Sequence, residues 1–169
     1  MNRHTRRSIL RLPFGALIIA AVARCTPGTP GQPTLTLAEI ISDVTDIVNG
    51  LVAEAGTLEN LVPGSAALIQ QIIADAQAAL QALQSVTTTA GASGIIQTII
   101  GFIPQILQIL QTAGVNIPTA IQTWLTFAAT LAQIILPILG LAVPATIAKL
   151  AKPDATRDQA KAMLRSLRR

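Results

Sequence analysis

The feature that most constrains the fold of this chain is a long segment without a formal charge. Residues 76–148, seventy-three in a row, contain no Asp, Glu, Lys or Arg; Asp75 precedes the segment and Lys149 follows it. Soluble domains carry a charge on about a quarter of their residues, whereas only 12% of the 169 residues here are charged. The segment must therefore lie in a protein core, in an interface between subunits or in a lipid bilayer.

The composition excludes several kinds of chemistry. The chain has one Trp, three Phe and no Tyr, which disfavours nucleic-acid modules that stack bases on aromatic side chains. It has one Cys, and its single histidine, His4, lies in an N-terminal leader that we expect to be removed. The remaining chain then has no histidine for acid–base catalysis, for a Ser-His triad or for a zinc site. We therefore expect no enzymatic activity, no cofactor, no metal and no nucleic-acid partner.

The first 23 residues have the pattern of a secretory signal peptide. A basic start is followed by a short apolar run at residues 12–23, and Ala21 and Ala23 form an Ala-x-Ala cleavage pattern. A run of about a dozen apolar residues is too short to span a bilayer comfortably. We predict cleavage after Ala23 and export to the periplasm or cell envelope, with a retained amphipathic helix as the alternative.

Residues 5–11, Thr-Arg-Arg-Ser-Ile-Leu-Arg, suggest the route of export. This segment resembles the twin-arginine signal of bacterial exported proteins, S/T-R-R-x-F-L-K, with Arg6 and Arg7 as the arginine pair. Ile9 replaces the usual Phe and Arg11 the usual Lys. The resemblance covers only the leader and implies export of an already folded protein.

Cys25 leaves two alternatives for the mature N-terminus. Val22 and Ala23 fit a lipoprotein signal, but Arg24 stands where a small residue is expected before the cysteine. Either Cys25 is lipidated, or cleavage after Ala23 leaves it as a free thiol. Residues 24–34 are rich in Pro and Gly and predict a tether.

Four later segments have the apolar periodicity of amphipathic helices. They are residues 36–54, 66–86, 94–112 and 119–148. Their polar faces change along the chain, from acidic residues in the first segment to Gln and Thr in the second and third. With short connections between them, the segments predict an all-α, four-helix-bundle-like domain over residues 35–152.

The first helical segment carries an acidic face. Thr36 and Glu39 have the spacing of a capping box at its start. Glu39, Asp43 and Asp46 lie on the face opposite the apolar one, and we interpret them as a solvated strip in preference to a cation site.

The segment 119–148 is apolar nearly all round, which is typical of a helix that is buried in a bundle or lies in a membrane. It is the best transmembrane candidate, and Lys149 and Lys152 would then mark a cytoplasmic end. Because the preceding helices keep polar faces, we favour the central helix of a bundle over a membrane span.

Residues 153–169 predict a short basic helix. Seven bases and two acids lie within residues 149–169. Arg157, Lys161, Arg165 and Arg168 share one side of the helix and would suit an anionic lipid surface or an acidic partner. A solvated terminal helix is the alternative.

These patterns favour an exported, non-enzymatic, helical protein of the cell envelope that acts by binding or assembly. Its uncharged Gln and Thr faces suit contacts between helices of different subunits, so a homo-oligomer is one expected form. The main alternative is a membrane-inserting or pore-forming protein of the phage-lysis or toxin type, with residues 94–112 and 119–148 as a hairpin. A carrier for an apolar ligand in the bundle core is a third hypothesis.

Overall fold

The computed structural model describes residues 34–167. Over this range the chain forms α-helices, one 3-10 turn at Pro63–Ser65 and no strand, which confirms the all-α class. The helices are α1 Leu37–Ala53, α2 Ala55–Leu61, α3 Ala66–Gln84, α4 Thr89–Ala113, α5 Thr119–Ile138, α6 Ala145–Leu150 and α7 Arg157–Leu167. The predicted export signal (Arg6, Arg7), cleavage residues (Ala21, Ala23) and lipidation site (Cys25) lie outside the described residues.

The start of α1 is the predicted capping box. The Thr36 hydroxyl accepts a hydrogen bond from the Glu39 backbone N–H at 3.3 Å, and the Glu39 carboxylate accepts one from the Thr36 backbone N–H at 2.9 Å. These two bonds satisfy backbone donors that have no partner within the helix. From there α1 buries its apolar face, including Ile40, Val44 and Ile47, in the core.

Two predicted connections are partly helical. Residues 55–64 were expected to be a connection, but the first seven form α2, whose Leu58 is fully buried. The third helix was expected to begin near residue 94, but α4 begins at Thr89, capped by the Thr88 hydroxyl, which accepts from the Gly91 N–H at 3.2 Å. Ala92 is fully buried in this added turn. One buried alanine among Thr, Gly and Ser residues does not produce the apolar periodicity by which a helix is predicted from sequence.

The predicted helix 119–148 is too long, because α5 ends at Ile138. Gly140 adopts a left-handed conformation with φ 71°. Its N–H donates to the Pro137 carbonyl at 3.0 Å, and the Leu141 N–H donates to the Leu136 carbonyl at 2.8 Å. These two bonds form a Schellman motif, which terminates the helix by satisfying its last carbonyls. The short helix α6 then begins at Ala145, directly after Pro144.

Helix α5 packs against α1, α4, α6 and α7 in the core. Its buried residues include Trp124, Phe127 and Leu131. Of the most apolar 18-residue stretch of α5, 61% is buried, compared with 39% for the corresponding stretch of α4. Of these two apolar helices, α5 is therefore the more enclosed by other helices.

Helix α1 lies very close to a side chain of α5 at Gly50. A Cβ atom on Gly50 would lie 2.5 Å from Cδ1 of Trp124, which is shorter than van der Waals contact allows. The Trp124 indole N–H donates to the Ile47 carbonyl of α1 at 3.1 Å. Glycine at position 50 therefore lets the indole lie directly on the α1 backbone.

Candidate functional site

A cluster of ion pairs fastens α7 onto α1. The Asp43 carboxylate is fully buried and accepts two hydrogen bonds from the Arg157 guanidinium, at 2.6 and 3.0 Å. The Lys161 ammonium lies 2.8 Å from the same carboxylate. The Arg157 guanidinium also donates to the Glu39 carboxylate at 2.8 Å. One buried acid is therefore balanced by two bases from the C-terminal helix.

This cluster corrects the interpretation of the acidic face of α1. Asp43 does not lie on a solvated strip: it is covered by α7, and Asp46 is at the margin of the cluster, 4.0 Å from the Lys161 ammonium. The acidic residues and their partners are more than one hundred positions apart in sequence. Periodicity describes one helix at a time and contains no information about such pairs.

Hydrogen bonds and ion pairs in this cluster shift the pKa values of two side chains. The pKa of Arg157 is raised above its ordinary value, chiefly by its hydrogen bonds to Asp43. The pKa of Glu39 is lowered below its usual 4.5, first by the backbone and side-chain hydrogen bonds from Thr36 and then by Arg157. Both shifts favour the charged forms that hold the cluster together.

The four bases that are predicted to bind an anionic surface do not share one environment in the structure. Arg157 and Lys161 are engaged with carboxylates of α1, whereas Arg165 is exposed. Arg168 lies outside the described residues. Binding of an anionic surface by this helix stays a prediction, with two of its four bases already neutralised inside the protein.

Thr156 caps the start of α7. Its hydroxyl accepts from the Gln159 N–H at 3.3 Å, and the Gln159 amide oxygen accepts from the Thr156 N–H at 3.1 Å. Asp154 lies in the preceding turn, in a left-handed conformation with φ 59°. The Lys152 N–H donates to the buried hydroxyl of Thr130 on α5 at 3.0 Å, which holds the connection against the core.

The outer surface of α3 and α4, called here the α3–α4 face, is polar but almost uncharged. Asp75 is the one charged residue within residues 66–113. The exposed polar side chains of α3 and α4 are mainly glutamines, namely Gln70, Gln71, Gln77, Gln81, Gln84, Gln97, Gln105, Gln108 and Gln111. Each amide donates and accepts hydrogen bonds. The face can therefore pair with another polar surface without removing charges from water.

A cleft of about 490 Å³ opens on the α3–α4 face, between the start of α3 and the end of α4. Apolar side chains of Leu68, Ile72 and Ile109 line it together with Gln105, Gln108 and Thr112. Leu68 is 48% exposed and contributes apolar surface to the cleft. None of the lining residues is charged or is a histidine or cysteine, so the cleft has the character of a docking surface for a neutral group.

Two further properties of the described residues bear on function. Within residues 34–167, no group of three His, Cys, Asp or Glu side chains is arranged to hold a metal ion. Helices α4 and α5 are long and apolar enough to cross a membrane, with mean hydropathies of 1.5 and 1.4 in their most apolar stretches. Buried core helices share this property.

Comparison of the chain with protein-family models, with curated proteins and with solved structures finds no match. The functional argument therefore rests on the residues and their arrangement. The uncharged Gln and Thr faces of these helices are predicted from sequence as contact surfaces, whereas the cleft and the exposed Leu68 are not. The available signal was the replacement of charges by glutamine in two consecutive helices.

Proposed function

We propose that the protein is an exported, non-enzymatic, helical protein of the bacterial cell envelope that acts by binding or assembly through its α3–α4 face. The observation that carries this proposal is the exposed, almost uncharged surface of two adjacent helices with an apolar cleft in it. Charged residues are depleted from the centres of protein interfaces because their desolvation is costly. Glutamine amides can form hydrogen bonds with each other across a contact, and their desolvation costs less free energy than that of charged groups.

The leader supports the cellular location in this proposal. Arg6 and Arg7 match the arginine pair of a folded-protein export signal, and the Ala-x-Ala pattern ends at Ala23. Mass measurement of the mature protein from fractionated bacterial cells tests the location. We expect an envelope protein that begins at Arg24, or at a lipidated Cys25, and we expect an R6K/R7K variant to stay uncleaved in the cytosol. Recovery of the unaltered chain with residues 1–23 intact in the cytosol would contradict export.

Site-specific labelling tests the role of the α3–α4 face. Gln108→Cys places a thiol at the cleft, and Asn49→Cys places a matched thiol on the exposed side of α1. Labelling at each site is read from its own peptide, so Cys25 stays in place. We expect Gln108→Cys to react with maleimide more slowly in the envelope than in dilute purified protein, while Asn49→Cys reacts equally in both. Equal rates at Gln108→Cys in the two settings would refute binding through this face.

Membrane insertion is the second candidate, because α4 and α5 are consecutive, apolar and long enough to span a bilayer. In that state α5 would leave its packing with α1 and α7, and Trp124 would contact acyl chains. Vesicles with brominated acyl chains distinguish the candidates, since bromine quenches tryptophan on contact. The bundle proposal expects Trp124 emission unchanged by these vesicles; strong quenching would favour the inserted hairpin.

A further inference from the structure

We propose that α7 is a detachable helix that binds an anionic lipid surface, and that the acids of α1 inhibit this binding by occupying the same bases. The contact between α1 and α7 is then autoinhibitory, because one set of bases cannot serve both partners at once. This inference concerns α7 and goes beyond the role proposed for the α3–α4 face, so the two succeed or fail independently.

The bases of α7 are shared between the two contacts. Arg157, Lys161 and Arg165 follow one another at intervals of four residues, which places them along one side of the helix. In the structure, the Arg157 guanidinium donates to the carboxylates of Glu39 and Asp43, and the Lys161 ammonium lies 2.8 Å from Asp43. Arg165 is exposed. Of these three bases, the attached helix therefore offers one to a surface, and the released helix offers all three.

The surface that α7 covers has the two properties of an anionic lipid interface. Helix α1 supplies carboxylates, and α5, against which α7 packs, contains no titratable residue. Helix α7 meets this surface with its bases and with an apolar strip of Ala160, Met163 and Leu164. A helix with a basic polar face and an apolar strip suits the headgroup region of an anionic membrane. An acidic protein would match the bases without covering the strip, so the combination favours lipid.

The attachment of α7 depends on charge more than on apolar area. Among residues 157–166, Ala160 and Leu164 are the ones classed as buried. The ion pairs add little net free energy, because the cost of removing Asp43 and its partners from water offsets their attraction. Release returns Asp43 to water, and an anionic surface supplies new counter-charges for the bases. A surface that binds the released helix can therefore shift the equilibrium towards release.

The segment before α7 gives the helix a place to turn. The Lys152 N–H donates to the buried Thr130 hydroxyl of α5, which anchors the chain up to that residue. The cap of α7 begins at Thr156. Between these two points Asp154 adopts φ 59°, a left-handed conformation that is unfavourable for residues other than glycine. Rotation about residues 153–155 would release α7, keep the anchor and the cap, and relax Asp154.

Flotation of the full chain with phosphatidylglycerol vesicles tests the proposal, using the Cys25→Ser variant because it cannot carry a lipid of its own. The salt concentration is set so that half of this parent protein floats, and the bases of the leader then contribute equally in every variant. Asp43→Asn should raise the partition coefficient about tenfold or more, because two bases become available to the headgroups.

Asp75→Asn is the matched control, since it makes the same change in net charge at an exposed position on α3. We expect it to change the partition coefficient by less than about twofold, because most of its charge is screened from α7 by salt. Glu39→Gln, which keeps an oxygen for the capping box, removes a partner at the exposed margin of the cluster. It should raise the partition coefficient about threefold, and it decides the test if circular dichroism shows that Asp43→Asn has lost its helices.

Two further measurements separate the proposal from a loosened fold. Adding Arg157→Gln and Lys161→Gln to Asp43→Asn should abolish the gain, and phosphatidylcholine vesicles should show no gain. A gain that survives in the triple variant, or that is equal on phosphatidylcholine, would come from exposed apolar surface and would overturn the proposal. Binding of Asp43→Asn and Glu39→Gln no tighter than that of Asp75→Asn would do the same. A gain on immobilised polyglutamate without one on vesicles would make an acidic protein the competitor and refute lipid.

Discussion

The Arg157 guanidinium donates two hydrogen bonds to the Asp43 carboxylate, and this carboxylate has no exposed surface. The arrangement joins the first and last helices of the described chain. Both bases around Asp43 retain some contact with water, at 22% and 24% exposure, whereas the acid has none. The acid therefore depends on its partners more than they depend on it.

Removing both bases should expose that dependence. In an R157M/K161M variant, Asp43 is left buried without a cation, and we expect the free energy of unfolding to fall by about 3 kcal/mol. Arg165→Met, on the exposed side of α7, is the control and should change it by less than about 0.5 kcal/mol. Urea unfolding of the three proteins measures both values. Equal stability of the double variant and the control would show that α7 does not cover Asp43 in solution.

Two glycines in helices should respond to alanine in opposite directions. Gly50→Ala forces a Cβ atom against the Trp124 indole, so we expect a loss of about 1–3 kcal/mol. Gly101, inside α4, has open space around its Cβ position. Alanine there should gain about 0.5–1 kcal/mol, because glycine loses more backbone entropy in a helix. Thermal unfolding followed by circular dichroism compares them; a stabilised Gly50→Ala would contradict the close approach of α1 and α5.

A third prediction concerns Gly140, at the end of α5. Gly140 adopts φ 71°, where a side chain is strained, so Gly140→Ala should cost about 1 kcal/mol or more. Gly64 also has open space around its Cβ position but is not in a left-handed conformation, and Gly64→Ala is the matched control. Urea unfolding distinguishes the two. If α5 instead continued as one helix through residue 148, Gly140→Ala would stabilise the protein.

Acidification should weaken the capping box at the start of α1 and, to a smaller extent, the contact between Glu39 and Arg157 of α7. Because the pKa of Glu39 is lower in the folded protein, its contribution to stability is present above about pH 4.5 and is lost as the pH falls through the folded pKa. Glu39→Gln keeps an amide oxygen for the capping box but removes the charge that faces Arg157. We therefore expect the wild type to lose more stability than Glu39→Gln on acidification from about pH 6 to about pH 3. Parallel losses in urea titrations at the two pH values would argue against this role.

Local patterns predicted much of the fold. The capping box of Thr36 and Glu39 and the apolar faces of α1, α3 and α4 depend on residues three or four positions apart, which a sequence displays directly. The all-α class follows from these faces. The ends of the helices were harder to predict from the sequence. Gly140 and Pro144 interrupt an apolar stretch, but the Schellman bonds at Gly140 depend on the backbone conformation, which the sequence does not display.

Pairing between distant segments could not be read in this way. In the sequence of α1 alone, the acids look like a solvated strip. Only the position of α7 covers them, and that position depends on how Ala160 and Leu164 pack beside α5. The cleft likewise arises only when Leu68 of α3 and Ile109 of α4 come together. The sequence contained the residues of both features but not their proximity.

The central proposal is that α4 and α5 of the uncharged segment pack within a helical unit in water and do not span a bilayer. An alkaline wash of membranes from cells that express the full chain as the Cys25→Ser variant tests it most directly, because this variant cannot carry a lipid anchor that would mimic an integral helix. We predict release of the processed chain into the aqueous supernatant with Trp124 still shielded from iodide. Retention in the pellet until detergent is added would contradict the claim.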